Sequence, residues 1–274
     1  MSLSASLASR RPRIGLAIGL AILGFWVFVA VFGSAIAPYD PYADDLLQSL
    51  APPSAAHWFG TDMLGRDVFS RVLSGARQIL VTAPPATFAG VALGTLLGLV
   101  LGYRGGWPDA VFSRILDMLL SMPLVVTAML ILTTIGGSVA SVILVIAVIY
   151  APLVARTVRA SVRTEAAKDY AVSARISGES ALGVMVREIL PNIRSVVFIE
   201  AMTRLGYAFF TVSTLSFLGL GLQPPSTDWG LAVAESYGLL TAGLWWVAAF
   251  PALAIISLVV ATNLVAEAIG NFDD

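Results

Sequence analysis

The most constraining feature of this sequence is where its charges are missing. Five stretches, 14–39, 78–103, 118–155, 205–227 and 236–266, contain no Asp, Glu, Lys or Arg. Each exceeds the ~20 residues a helix needs to cross the hydrocarbon core of a bilayer. The third runs for 38 residues (118 to 155), enough for two crossings. In lipid each backbone N–H and C=O must find its partner inside the protein, so runs of this kind become helices. The chain is 58% hydrophobic and 12% charged, where a soluble domain carries about 25% charged residues. The expectation is an all-α polytopic membrane protein, a single domain over 1–274, with spans at about 14–37, 79–103, 109–135, 139–160, 193–220 and 244–269. A signal peptide at the N-terminus is the competing reading, since Ala35-Ile36-Ala37 resembles a cleavage site. The first apolar run is too long for that, and Pro38 would follow the cut.

The distribution of Lys and Arg predicts the orientation. With the N-terminus inside, the inner face receives Arg10, Arg11, Arg13, Arg104 and the basic residues from Arg156 to Arg194. The outer turns at 136–138 and 222–243 receive none. Both termini are expected to be cytoplasmic. The segment at about 38–76 then lies outside, with Arg66, Arg71 and Arg77 the exceptions to the bias. Its stretch from Phe59 to Arg77 reads as an amphipathic surface helix sharing Leu64, Val68 and Val72 on one face, with Arg66, Asp67 and Arg71 paired in water. A structural role in an assembled pore is the alternative. Residues 222–243 are expected to form a short re-entrant or surface helix.

Several chemistries are excluded. The chain has no cysteine, so disulfides and thiolate metal sites are impossible. A lone histidine, His57, builds neither a metal cluster nor a histidine relay. A net charge of −1 gives no reason to expect nucleic acid. Within the spans, Arg114 and Asp117 stand three apart and Glu200 and Arg204 four apart, so each pair shares a helix face. The simpler reading is self-neutralised pairs, and the sharper one is a charged solute path. Gly90, Gly94, Gly98 and Gly102 repeat every four residues and predict a close helix contact. Pro84 and Pro85 should distort the start of the second span, and Pro123, Pro152 and Pro251 predict kinks in others.

The long charged segment between spans is 161–192. Thr164 and Glu165 suit a helix start. Gly178 suits the left-handed residue that ends the helix, and Ser180 suits the cap of a second one. Leu182, Met185, Val186 and Ile189 recur at helical spacing as one apolar face. Ala167, Ala171 and Ala174 make a small face that suggests contact with an outside groove. Two short helices hinged at a glycine suggest a docking element.

Asp169-Tyr170, Ala174-Arg175, Gly178 and Leu190-Pro191-Asn192 resemble the cytoplasmic "EAA" loop of bacterial ABC importer permeases, with the spacing of the dipeptide, oligopeptide and nickel branch. Counting back from Gly178 places the motif on Val172-Ser173-Ala174, not on the literal Glu165-Ala166-Ala167. The block from Phe59 to Arg77 is similar to a second signature of the same branch. The resemblance runs from about Asp40 to Asn263. It implies the type I importer permease fold, of the second-permease subtype, and a loop that docks as a coupling helix on an ABC ATPase subunit. It also implies a second homologous permease, an extracytoplasmic solute-binding protein and a place in the inner membrane. The solute would be a peptide or similar small molecule, nickel included. The chain would be no enzyme and hold no cofactor, with ATP and Mg on the partner ATPases. The alternative, a self-contained ion-coupled transporter, needs isolated membrane acids and usually inverted repeats, and the sequence offers neither. A membrane enzyme would need a clustered nucleophile, base or metal set.

Overall fold

A computed structural model describes residues 3–273, with side chains for 14–107, 109–118 and 121–270. The side chains of Arg10, Arg11 and Arg13 lie outside the described residues. The helices are α1 (Leu3–Ile36), α2 (Val68–Arg104), α3 (Gly106–Leu120), α4 (Leu124–Ile135) and α5 (Val139–Ala166). After them come α6 (Asp169–Ile176), α7 (Ala181–Gly183), a π-helical turn (Val184–Ile189) and α8 (Leu190–Asn192). The last are α9 (Arg194–Phe217), α10 (Trp229–Ser236) and α11 (Trp246–Asp273). Five are long and apolar enough to span a membrane: Ile14–Ile36 of α1, then α2, α5, α9, and Trp246–Gly270 of α11. The sixth apolar segment is α4, at 12 residues. The single span expected at 109–135 is thus two helices, parted at Ser121, Met122 and Pro123. Proline disfavours helical geometry in the residue before it and has no N–H to continue the ladder.

The bundle is centred on α2 and α5, and the glycine stripe explains why. A Cβ at Gly94 would sit 2.6 Å from Ala151 O, one at Gly98 2.8 Å from Val158, and one at Gly102 2.8 Å from Val162. Only hydrogen fits there, so the two backbones approach closely and dispersion contacts accumulate along the whole pair. This contact also carries α5 past residue 160, where the sequence reading ended it. Val158 and Val162 are fully buried against the stripe. Thr164 and Glu165 consequently end α5 instead of starting the next helix.

The segment 59–77 differs from the surface helix expected there. Residues 59–67 form a folded loop with an antiparallel bridge between Thr61 and Asp67. Asp67 then caps α2, accepting from the Ser70 N–H at 2.8 Å and the Ser70 hydroxyl at 2.7 Å. From there α2 continues unbroken through Pro84 and Pro85. Arg71 and Asp67 are buried, not paired in water. Aromatic contacts fasten this loop to the helices beneath it. Phe59 stacks on Phe250 with centroids 3.8 Å apart, and the Trp246 indole N–H donates to Thr61 O. Trp229 at the start of α10 donates to Val72 O at 2.9 Å. Gly75 leaves room for that indole, which any Cβ there would strike.

Candidate coupling loop and charged sites

The loop between α5 and α9 is built by two caps. Asp169–Ile176 forms the first helix and ends at Gly178, whose φ is +85°. The Gly178 N–H donates to Arg175 O and the Glu179 N–H to Ala174 O, both at 3.1 Å. This is the Schellman closure, which wants a left-handed residue and therefore glycine. Ser180 then accepts from the Gly183 N–H at 3.1 Å and starts the second helix. Both features match the sequence expectation. The first helix starts at Asp169, four residues later than the start expected at Glu165, because α5 occupies the intervening positions.

The second helix departs from the expected pattern. Residues Val184–Ile189 wind as a π-turn, and the extra residue in each hydrogen-bonded ring rotates the apolar face. Val184, Met185, Ile189 and Ile193 are buried, while Leu182 and Val186 are 67% and 48% exposed. The expected single face of Leu182, Met185, Val186 and Ile189 is therefore split into an inward and an outward set. The alanine face also turns differently. Ala171 is fully buried in a cluster with Val158, Val162 and Val184 of the same chain, and Ala167 is exposed. The small face packs mostly onto the bundle itself, where the sequence reading aimed it at an outside groove.

Side chains tie the loop back to α5. Arg175 donates to Ala166 O at 3.0 Å, capping the end of α5. The Tyr170 hydroxyl donates to the Glu165 carboxylate at 2.8 Å, and Lys168 pairs with the same group at 2.8 Å. Burial, with the neighbouring Glu165 carboxylate, pushes the Tyr170 phenol up to about 12, so it remains a donor. Asn192 donates to Glu188 O at 2.6 Å and Leu190 is half-buried, while Pro191 and Asn192 are exposed. Asp169 and Gly178 are exposed too. Held this way, the loop presents Ile176, 82% exposed, together with Leu182 and Val186. Ile176 was missed, though an isoleucine two residues before a helix-ending glycine in a polar segment is a visible signal.

The two membrane pairs have different outcomes. Glu200 and Arg204 pair along α9, with Arg204 Nε donating at 2.8 Å, and the guanidinium lies 5.9 Å from the Tyr207 ring centroid. Arg114 and Asp117 are both exposed, and among the described residues neither has an ion-pair partner. Their helix α3 is instead held by Asp109, which the sequence reading did not single out. Asp109 is 2% exposed and accepts from Arg159 at 2.8 Å, and Arg163 closes on the same carboxylate. Fifty residues separate these partners, so no local spacing announces them.

Comparison with known proteins agrees with this architecture. Residues 94–271 match the family described as binding-protein-dependent transport system inner membrane component. Residues 16–53 match the N-terminal TM domain of oligopeptide transport permease C. The glutathione transport system permease protein GsiD of Escherichia coli O6:K15:H31 is 39% identical over 261 residues, 94% of this chain and 85% of that one. The same protein from Shigella boydii serotype 4 gives the same figures. The probable D,D-dipeptide transport system permease protein DdpC of Escherichia coli K12 is 36% identical over 253 residues, 92% of this chain and 85% of that one. With the first family covering 178 of 274 residues (94 to 271), the chain belongs to the inner-membrane permease components of binding-protein-dependent ABC importers, in their oligopeptide-type branch.

Proposed function

We propose that this permease provides half of the path for a peptide or similar small solute, alongside a second homologous permease. ABC ATPase subunits would sit at the loop end and an extracytoplasmic solute-binding protein at the other. The solutes that name the related systems, glutathione and D,D-dipeptides, support the peptide class. The chain itself makes or breaks no bond in this reading; ATP and Mg belong to the ATPases.

The observation that carries the coupling role is the loop's outward apolar set. Ile176, Leu182 and Val186 stand exposed on a unit whose inner face is packed. Burying each in an ATPase groove would contribute about 1.5–3 kcal/mol if complete. Gly178 sets the angle between the two loop helices, while Tyr170 and Arg175 fix the unit to α5. Ala174, Leu190, Pro191 and Asn192 complete the frame, and Asp169 begins the first helix. A push on the outward set then travels through Ala171, Val184 and Ile189 to Val158 and Val162. From there the close contact at Gly98 and Gly102 carries it into α2.

The charges support one orientation. Arg104, Arg156, Arg159, Arg163, Lys168, Arg175, Arg187 and Arg194 cluster toward the loop end, which the positive-inside rule assigns to the cytoplasm with both termini. At the opposite end Arg66 and Arg71 are compensated by Asp62, which weakens their vote. Because the natural chain lacks cysteine, single cysteines report cleanly. Leu47→Cys, at a position 96% exposed, should react with an impermeant maleimide on intact cells. Lys168→Cys should react only after permeabilisation. Labelling of both from the same side would refute the topology and the docking role with it.

A further inference from the structure

At the end opposite the coupling loop lies a cavity of about 590 Å³ between the 38–67 segment, α2, α10 and the start of α11. That size falls within the range of small-molecule sites. Val72, Trp229, Val247 and Pro251 form an apolar wall. Facing them are three carboxylates, Asp44, Asp62 and Glu235, and two guanidiniums, Arg66 and Arg71.

These five groups are not equally committed. Asp62 accepts from Arg66 Nε at 2.7 Å and from the backbone N–H groups of Leu64 and Arg66. Arg71 donates to Pro41 O at 3.3 Å and Ser226 O at 3.0 Å. Glu235 stands apart. Arg66 Nη2 lies 3.6 Å from its Oε2 and Arg71 Nη2 3.9 Å, within ion-pair range. Among the described residues no donor hydrogen-bonds to the Glu235 carboxylate. Asp44, 56% exposed at its side chain, is likewise 3.9 Å from Arg66 Nε with no hydrogen bond. The outer Nη edge of Arg66 donates to nothing among the described residues. A cavity that holds an open acid, an open guanidinium edge and a one-charge acid excess is complementary to a ligand carrying both signs.

We propose that this cavity binds a small zwitterion with a free ammonium and a carboxylate. The ammonium is held by Glu235 and Asp44, and the carboxylate by the Nη edge of Arg66. Binding converts contacts beyond hydrogen-bond length into charge-assisted hydrogen bonds, which are the stronger kind. The acid excess makes the ammonium the more stringent requirement, and the apolar wall accepts the rest of the ligand. The inference rests on the peptide reading above for the class of solute reaching this end.

The test uses the purified importer complex in lipid nanodiscs, without binding protein, titrated with dialanine, N-acetyl-dialanine and dialanine amide. Saturable binding of dialanine is expected, weakened roughly tenfold or more by Glu235→Gln or by acetylating the amine. The substitution should cost the acetylated probe nothing further. Asp44→Asn, at a more exposed position, should weaken dialanine in the same direction. Equal affinity of wild type and both variants, or no saturable binding, overturns the proposal. Dialanine uptake in proteoliposomes with binding protein is measured in parallel. Uptake without Glu235-dependent binding sinks the cavity alone, whereas an importer that moves no peptide sinks the reading beneath it.

Discussion

The two ends of this permease use charge in opposite ways. Around Arg71 the charges are turned inward: Pro41 and Asp62 from the 38–67 segment and Ser226 from the segment before α10 converge on one guanidinium. At the other end Asp169, Arg175 and Arg187 stay at the surface, and it is hydrophobic side chains, Ile176, Leu182 and Val186, that face outward. The first arrangement satisfies Arg71 and Asp62 from within the chain, and only Glu235, Asp44 and the Nη edge of Arg66 are left without hydrogen bonds among the described residues. The second leaves apolar area in water, which is favourable only once something covers it. The Arg71 network is held by contacts within the chain, whereas the exposed apolar set at the loop end has no cover within it.

The largest expected effect breaks the inward network around Arg71. Arg71→Ala removes two backbone hydrogen bonds and a partner of the buried Asp62, and should cost about 3–5 kcal/mol. A clear drop in the thermal midpoint of the purified complex is expected, and an unchanged midpoint would show that the inward network contributes little. A smaller effect lies at mid-bundle. Glu200→Arg or Arg204→Glu alone should cost about 2.5–3.5 kcal/mol at mid-span, less near the ends. The double reversal should recover most of it, measured as membrane-inserted yield and uptake. A double variant as damaged as the singles would mean that position, not pairing, matters. The smallest effect on stability sharpens the contrast at the loop end. Leu182→Ser should change stability by no more than about 0.5 kcal/mol while weakening retention of the ATPase on affinity purification. A destabilised spanning domain with normal ATPase retention would reverse the assignment of that side chain.

Much of this was legible in the sequence where the cause is local. Uncharged runs revealed five of the spans, the glycine stripe revealed a close-contact face on α2 though not that α5 fills it, and Gly178 and Ser180 revealed their caps, because each is decided by residues within a turn or two. What escaped was decided across the fold. Asp109 finds Arg159 and Arg163 some fifty residues away, and nothing near Asp109 says so. Arg114 and Asp117 had the right spacing but point away from the rest of the chain. The break at Pro123 exceeds the kink that the sequence predicts, because a proline alone does not distinguish bending from termination. The π-turn at Val184–Ile189 rotated an apolar face that a period of 3.6 placed elsewhere. In the 59–67 loop, Asp62 and Asp67 bond to backbone N–H groups, so their charges organise a turn where the pattern suggested a helix in water.

In the proposed mechanism the loop couples an ATPase to the spanning helices through the angle set at Gly178. No atom lies within 4 Å of where a Cβ would stand on Gly178, so a substitution there meets no clash. Its effect comes from the left-handed φ of +85°, which costs an ordinary side chain about 1–2 kcal/mol and a branched one more. The direct measurement is uptake and ATPase activity of the purified complex carrying Gly178→Val, with co-purification of the ATPase scored alongside. Normal membrane insertion, weakened ATPase association and loss of uptake are predicted. Wild-type uptake by that variant would contradict the account and remove the loop from the mechanism.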